Sequence, residues 1–162
     1  MQWLREIGAA AADVGVRLAI EPMREANCEE WTIVTSLEQT LELIDEVGDP
    51  SIGIVYDTWH LWNSRHIVES TRRFAGRIAG VQVRDYREPR VYRDRMIPGE
   101  GVANIPALLA ALEEGGYRGW YDLEVISEEL WDLPPDEFAR RSVEGLLKTW
   151  DARRAFMDKV GD

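Results

Sequence analysis

A chain of 162 residues with ordinary apolar content can form one domain with a real core, and no apolar run approaches a membrane span. The formal net charge of −11 opposes binding to nucleic acid or to an anionic membrane, both of which need a basic face. The single cysteine, Cys28, excludes an internal disulfide and fits a reducing cytoplasm, and Glu29 and Glu30 beside it disfavour the thiolate a nucleophile would need.

The chain opens as an amphipathic helix rather than a signal peptide. Gln2 to Val14 has helical periodicity with Trp3, Ile7, Ala10 and Ala11 on one side, and Gly15 suits its C-terminus. Arg17 to Glu21 reads as a strand stopped by Pro22, and a loop runs from Met23 to Thr35. Ser36 then caps a helix carrying Leu37, Leu41, Ile44 and Val47 on one face, ended by Gly48-Asp49-Pro50. The second strand covers 52–57. Ser64 is the expected N-cap of a helix to about Phe74, with His66 inside it at the surface. The third strand, 78–83, leads into a loop containing Arg84, Arg87, Arg90, Arg93 and Arg95, and then the turn Pro98 to Gly101. Asn104 caps a helix ending at Gly115-Gly116, the fourth strand is 120–125, and a last helix starts near Pro134-Pro135-Asp136.

Strands alternating with helices imply a parallel sheet in a single domain, 1–162. Two architectures remain open, a doubly wound sheet or part of a (βα)8 barrel. No Gly-x-Gly-x-x-Gly turn follows the first strand, so a dinucleotide site lacks its phosphate loop. A functional residue at every strand end suits the barrel better. A full barrel takes about 250 residues, so the expectation is a parallel (βα) half-barrel. Its edges would be uncovered, and its concave face should carry Val, Ile and Leu. Such a chain should pair with a second copy or with a missing half.

Each of the four strands ends on a group able to bind a cation: Glu21, Asp57, Gln82 and Glu124. Parallel strands place these ends on one rim. Taken singly, each has an ordinary reading. Glu21 could pair with an arginine, Asp57 with His60 three residues on, and Gln82 must be hydrogen-bonded if buried. Glu124, between Leu123 and Val125, would be desolvated unless paired. Together they make three carboxylates and an amide, a costly set unless a cation neutralises it. Hard oxygen donors suit Mg²⁺ or Mn²⁺, with Co²⁺ or Zn²⁺ as alternates, since zinc prefers more histidine or cysteine. The arginine-rich loop is either a solvated segment pairing with Asp85, Glu88 and Asp94 or a holder of an anionic or polyhydroxy substrate. In the second reading Arg87 and Arg95 contact substrate.

The segments Leu18-Ala-Ile-Glu21-Pro, Asp57-Thr-Trp-His60-Leu, Val81-Gln-Val-Arg-Asp85, Pro98-Gly-Glu-Gly101 and Gly116-Tyr-Arg-Gly-Trp-Tyr-Asp-Leu-Glu124 resemble the xylose-isomerase-like TIM-barrel superfamily. This group of sugar phosphate isomerases and epimerases also contains endonuclease IV. The resemblance covers the C-terminal half of the family's barrel, its last four βα units. It implies that Glu21, Asp57, Gln82 and Glu124 ligate one divalent metal, that Glu21 and Glu124 double as the acid–base pair, and that His60 contacts substrate or metal-bound water. The implied activity is isomerisation or epimerisation of a sugar or sugar phosphate by proton abstraction next to a metal-bound carbonyl. Many family members carry His where this chain has Gln82. Glutamine there resembles the 3-dehydroshikimate dehydratase branch, which keeps a lyase as the alternative, beside a catalytically silent truncated barrel. The endonuclease branch fits poorly, because its three-zinc site is rich in histidine and this chain has two.

Overall fold

The computed structural model describes residues 2–24, 32–89 and 93–157. Cys28, Glu29, Glu30 and Arg90 lie outside the described residues, as does much of the Met23–Thr35 loop. Four parallel strands, β1 (Ala19–Ile20), β2 (Gly53–Asp57), β3 (Ile78–Val83) and a later strand Tyr121–Leu123, lie side by side in chain order. A doubly wound sheet reverses its order at a switch point, whereas a barrel wall does not. The sheet is therefore a length of TIM-barrel wall, as the sequence leads one to expect.

Helix α1 (Gln2–Asp13) precedes β1, and α2 (Leu37–Val47) connects β1 to β2. A short α3 (Thr58–Leu61) and then α4 (Ile67–Phe74) connect β2 to β3. After β3 comes an antiparallel ribbon of β4 (Asp85–Tyr86) and β5 (Arg95–Met96), and α5 (Ile105–Glu114) leads to β6, the strand Tyr121–Leu123. The chain closes with α6 (Glu128–Trp131), α7 (Pro135–Ala152) and α8 (Arg154–Met157). No described helix is long and apolar enough to cross a membrane.

Strand alternation sends successive side chains to opposite faces. Ile54, Tyr56, Val81 and Val83 point to the helices and are buried there with Leu37, Leu41 and Ile44 of α2 and Ile105, Leu108, Leu109 and Leu112 of α5. Each such side chain contributes about 1.5–3 kcal/mol when fully buried. The Tyr56 hydroxyl is satisfied 2.7 Å from Thr71 Oγ1 on α4. Ser36 and Asn104 cap their helices as expected, accepting from the N–H groups of Gln39 and Ala107 at 3.2 and 3.3 Å. Gly48 ends α2 at a φ of +75°, where a side chain would be strained.

Four expectations are corrected. The concave face is not a Val, Ile and Leu lining: alternation puts Ala19, Val55, Gly80 and Asp122 on it, and Ala19 and Asp122 are exposed. The stripe Trp3, Ile7 on α1 is not core, with Trp3 74% and Ile7 51% exposed. The helix seats itself through Leu4 and Gly8, where a Cβ would come within 2.5 Å of Asp49 Oδ2. Ser64 does not cap α4, because α3 uses the preceding residues; a turn at Ser64 leads to His66, which starts α4 at a φ of +55°. Finally, β1 and β6 are only two and three residues long, so Glu21 and Glu124 follow their strands rather than ending them.

Candidate metal and acid–base site

Strand register fixes the rim. Ile20 is level with Ile54, and Asp57 with Gln82, which is level with Asp122. The residues just past these points share one edge of the concave face. Asp57 ends β2 fully buried, and its Oδ1 accepts the Trp59 N–H at 2.8 Å, capping α3. That turn brings His60 back over the rim. Its Nε2 lies 3.8 Å from both Glu21 Oε1 and Asp57 Oδ2, and the three side chains offer donor atoms within 4.8 Å of one another.

His60 Nδ1 accepts the Arg24 N–H at 2.9 Å, so the neutral ring carries its hydrogen on Nε2, facing the carboxylates. Burial pulls the imidazole down to about 4, and Arg84, Arg95 and Arg24 act the same way against the pull of Asp57. Near neutral pH His60 is therefore an uncharged hydrogen-bond donor. The Glu21 carboxyl moves the other way. Burial, with Asp57 and Glu124 nearby, pushes it up to about 7 in spite of Arg84. A carboxyl there can hold or release a proton at working pH.

Gln82 lies beside Asp57, and its Oε1 is buried with no hydrogen-bond partner among the described residues. An orphaned amide oxygen carries a desolvation cost unless something binds it. Glu124 is less enclosed than expected, with 37% of its side chain exposed, and it joins the group through Arg84 rather than by burial. Arg87 is held at the surface, 2.9 Å from Glu129 of α6. Arg95 instead stacks 4.1 Å from the centre of the Trp59 ring, close enough to bear on His60. Among the described residues Asp85 is engaged by backbone N–H groups rather than by an arginine of the loop. Asp85 accepts the backbone N–H groups of Tyr86, Gly99 and Ala103 at 2.8–2.9 Å and so shapes the turn before α5. At Gly101 a Cβ would collide with the Tyr86 carbonyl and Asp85.

Arg84 was not singled out from sequence, yet it is central. Only 2% exposed, it donates from Nε to Asp57 Oδ1 at 3.1 Å and from Nη2 to Asp57 Oδ2. Its Nη1 lies 2.6 Å from Glu124 Oε2, and Nη2 lies 3.9 Å from Glu21 Oε1. The signal was available: Arg84 follows Gln82 by two, so the strand period puts both on one face. Among five arginines in twelve residues it read as one more loop cation.

Among the described residues Glu21, Asp57 and His60 form a set of donors able to hold a metal ion, with the orphaned Gln82 oxygen on the same rim and the Arg84 guanidinium among the carboxylates. The curated proteins this chain resembles include isomerases and a dehydratase. Inosose isomerase of Bacillus velezensis is 26% identical over 146 residues, 87% of this chain and 51% of the relative. Hydroxypyruvate isomerase of Escherichia coli is 29% identical over 110 residues, 67% and 40% of the two chains. 3-Dehydroshikimate dehydratase of Pseudomonas putida is 25% identical over 154 residues, 89% and 23%. The chain spans about half the length of the inosose isomerases it matches. Among solved structures, protein SMc04130 from Sinorhizobium meliloti superposes with a TM-score of 0.84 at 25% identity over 90% of this chain and 55% of that one. IOLI protein with a binding zinc atom gives 0.79 at 23% over 90% and 53%, a likeness of fold. The profile of the xylose isomerase-like TIM barrel matches residues 1–149, and the chain belongs to that family.

Proposed function

We propose that this chain carries the metal-binding and acid–base half of a cytoplasmic sugar isomerase or epimerase. In this reading the substrate is a polyhydroxy ketone or its phosphate, and a proton moves on and off the carbon beside its carbonyl. The observation that carries the reading is the convergence of Glu21, Asp57, Gln82 and Glu124 on one rim, with the Glu21 carboxyl at about 7. A divalent cation, Mn²⁺ or Mg²⁺ by the hardness of its donors, would polarise the carbonyl when bound.

Glu21 as carboxylate takes the proton from the carbon, and the electron pair shifts to the carbonyl oxygen. Return of a proton to the adjacent carbon, with transfer of the hydroxyl proton to the former carbonyl oxygen, completes an aldose–ketose isomerisation. Return to the opposite face of the same carbon, from Glu124, completes an epimerisation. His60 stays neutral and donates Nε2–H to a substrate oxygen, and Arg95, stacked on Trp59, stands close enough to contact the same ligand. Gln82 and the relationship to 3-dehydroshikimate dehydratase favour one second reading. The same proton removal followed by loss of a β-hydroxyl as water would make the enzyme a lyase. The rest of the barrel, from four further βα units or a second copy, would cover the β1 and β6 edges and complete the pocket.

Solvent deuterium exchange tests the reading. The chain, completed by the rest of its barrel and loaded with Mn²⁺, is incubated in D₂O with inosose, hydroxypyruvate, a ketose panel and 3-dehydroshikimate. The isolated chain should show little or no turnover, because half the pocket is absent. Exchange at the carbon next to a carbonyl, lost in Glu21→Gln, is the expected result. Water loss from 3-dehydroshikimate alone would select the lyase. Turnover without exchange would point to a hydride shift, and full activity in Glu21→Gln would overturn the acid–base assignment.

A further inference from the structure

The Arg84 guanidinium lies among the carboxylate oxygens that a cation on this rim would need. Asp57 has spent Oδ1 on the Trp59 N–H and the Arg84 Nε–H, and its Oδ2 faces Arg84 Nη2. That same Nη2 is the guanidinium atom nearest Glu21 Oε1, and Nη1 covers Glu124 Oε2. One guanidinium thus spans three of the four oxygen donors on the rim. It cannot swing away freely. The Arg84 backbone is locked to α3 by a reciprocal pair, its N–H donating to Thr58 Oγ1 at 3.0 Å and its carbonyl accepting from that hydroxyl at 2.6 Å. Its Nη1 also donates to the Glu124 carbonyl at 3.3 Å.

We propose that Arg84 is an internal counter-ion that competes with the divalent metal for Asp57, Glu21 and Glu124. The inference rests on the metal reading above and adds a consequence to it. Without metal, three converging carboxylates repel one another, and Arg84 keeps the rim assembled. A metal that contacts Asp57 and Glu21 must take lone pairs now facing Nη2, and it does so against the repulsion of a buried positive charge. Arg84 therefore lowers metal affinity and raises the stability of the metal-free protein, so the site binds metal weakly and reversibly.

The test is calorimetric titration of Mn²⁺ into the full chain, with Arg84→Met and Arg84→Lys alongside, and melting temperatures with and without metal. Arg84→Met should bind Mn²⁺ at least about tenfold more tightly, as expected when a unit charge a few ångströms away is removed. It should melt lower than the parent without metal and gain more from saturating Mn²⁺. Arg84→Lys keeps a charge but loses the planar fork, and should fall between the two. If Arg84→Met folds only with Mn²⁺ present, the inference stands; failure to fold even with Mn²⁺ overturns it. In the parent protein the ¹⁵N-labelled Arg84 Nε–H should be protected from exchange and lose that protection on saturation with diamagnetic Zn²⁺. Persistent protection would mean that Arg84 keeps its contacts and does not compete. Equal or weaker Mn²⁺ binding in Arg84→Met overturns the counter-ion alone, whereas no binding in either protein removes the metal reading with it.

Discussion

The two faces of the sheet differ in kind. On the convex face, Ile54, Tyr56, Val81 and Val83 meet α2 and α5 in a buried, largely apolar layer. On the concave face the same strands carry Ala19, Val55, Gly80 and Asp122, and lead to Glu21, Asp57, Gln82, Arg84 and Glu124 at the rim. Alternation along each strand makes the division sharp. One face supplies stability by burial, and the other holds polar groups whose cost that stability must offset.

The largest expected effect is on the convex side. Leu109→Ala, at a fully buried α5 position, should cost about 2–5 kcal/mol in urea denaturation. A midpoint equal to the parent's would mean that this layer is not the core. Asp57→Asn keeps the cap on Trp59 but strips Arg84 of its buried ionic partner, and should cost about 1–3 kcal/mol in the same experiment. No loss at all would sharpen the division of faces beyond what the geometry suggests. Ser36→Ala removes only the α2 cap and should cost about 1 kcal/mol, read from the same curves. A loss near that of Leu109→Ala would show that α2 depends on its cap more than on its packing.

The rim should also show in the pH dependence. Glu21, raised from 4.5 to about 7, holds a proton in the folded chain that the unfolded chain gives up. Its contribution to stability is present below 4.5 and lost as pH rises to 7. His60, lowered from 6.5 to about 4, refuses a proton that the unfolded chain accepts, so its contribution is lost as pH falls from 6.5 to 4. The two oppose each other through most of the interval. Relative to the parent, His60→Gln should lose melting temperature as pH rises through that interval, and Glu21→Gln should lose it as pH falls. Parallel profiles for all three proteins would show that neither group is perturbed by the rim.

The fold was legible because apolar runs closing on a polar group recur four times, and caps such as Ser36 and Asn104 carry local signals. Three things were not legible. The α1 stripe of Trp3 and Ile7 has helical period, but periodicity does not say which neighbour covers it, and the seat is the notch at Gly8. The concave lining departs from that of a closed barrel because its positions hold Ala19, Val55, Gly80 and Asp122, and a single wall leaves Ala19 and Asp122 exposed. Arg84 was obscured by its neighbours Arg87, Arg90, Arg93 and Arg95, although its spacing from Gln82 gave its direction. In the candidate site, the types and rim positions of Glu21, Asp57, Gln82 and Glu124 could be read from sequence. Their shared counter-ion and the His60 tautomer depend on contacts between residues far apart in the chain.

Cation binding at the rim turns on the buried Gln82 oxygen. Gln82→Leu removes it while filling the same space. Mn²⁺ titration of the parent and of Gln82→Leu, with melting of the metal-free proteins in parallel, separates the two roles the side chain could have. A ligand oxygen predicts one Mn²⁺ site in the parent, clearly weaker binding in Gln82→Leu, and a metal-free melting temperature equal to the parent's or higher, because an unpaired buried polar atom has gone. Unchanged Mn²⁺ binding together with a lower melting temperature would make Gln82 structural and contradict the account.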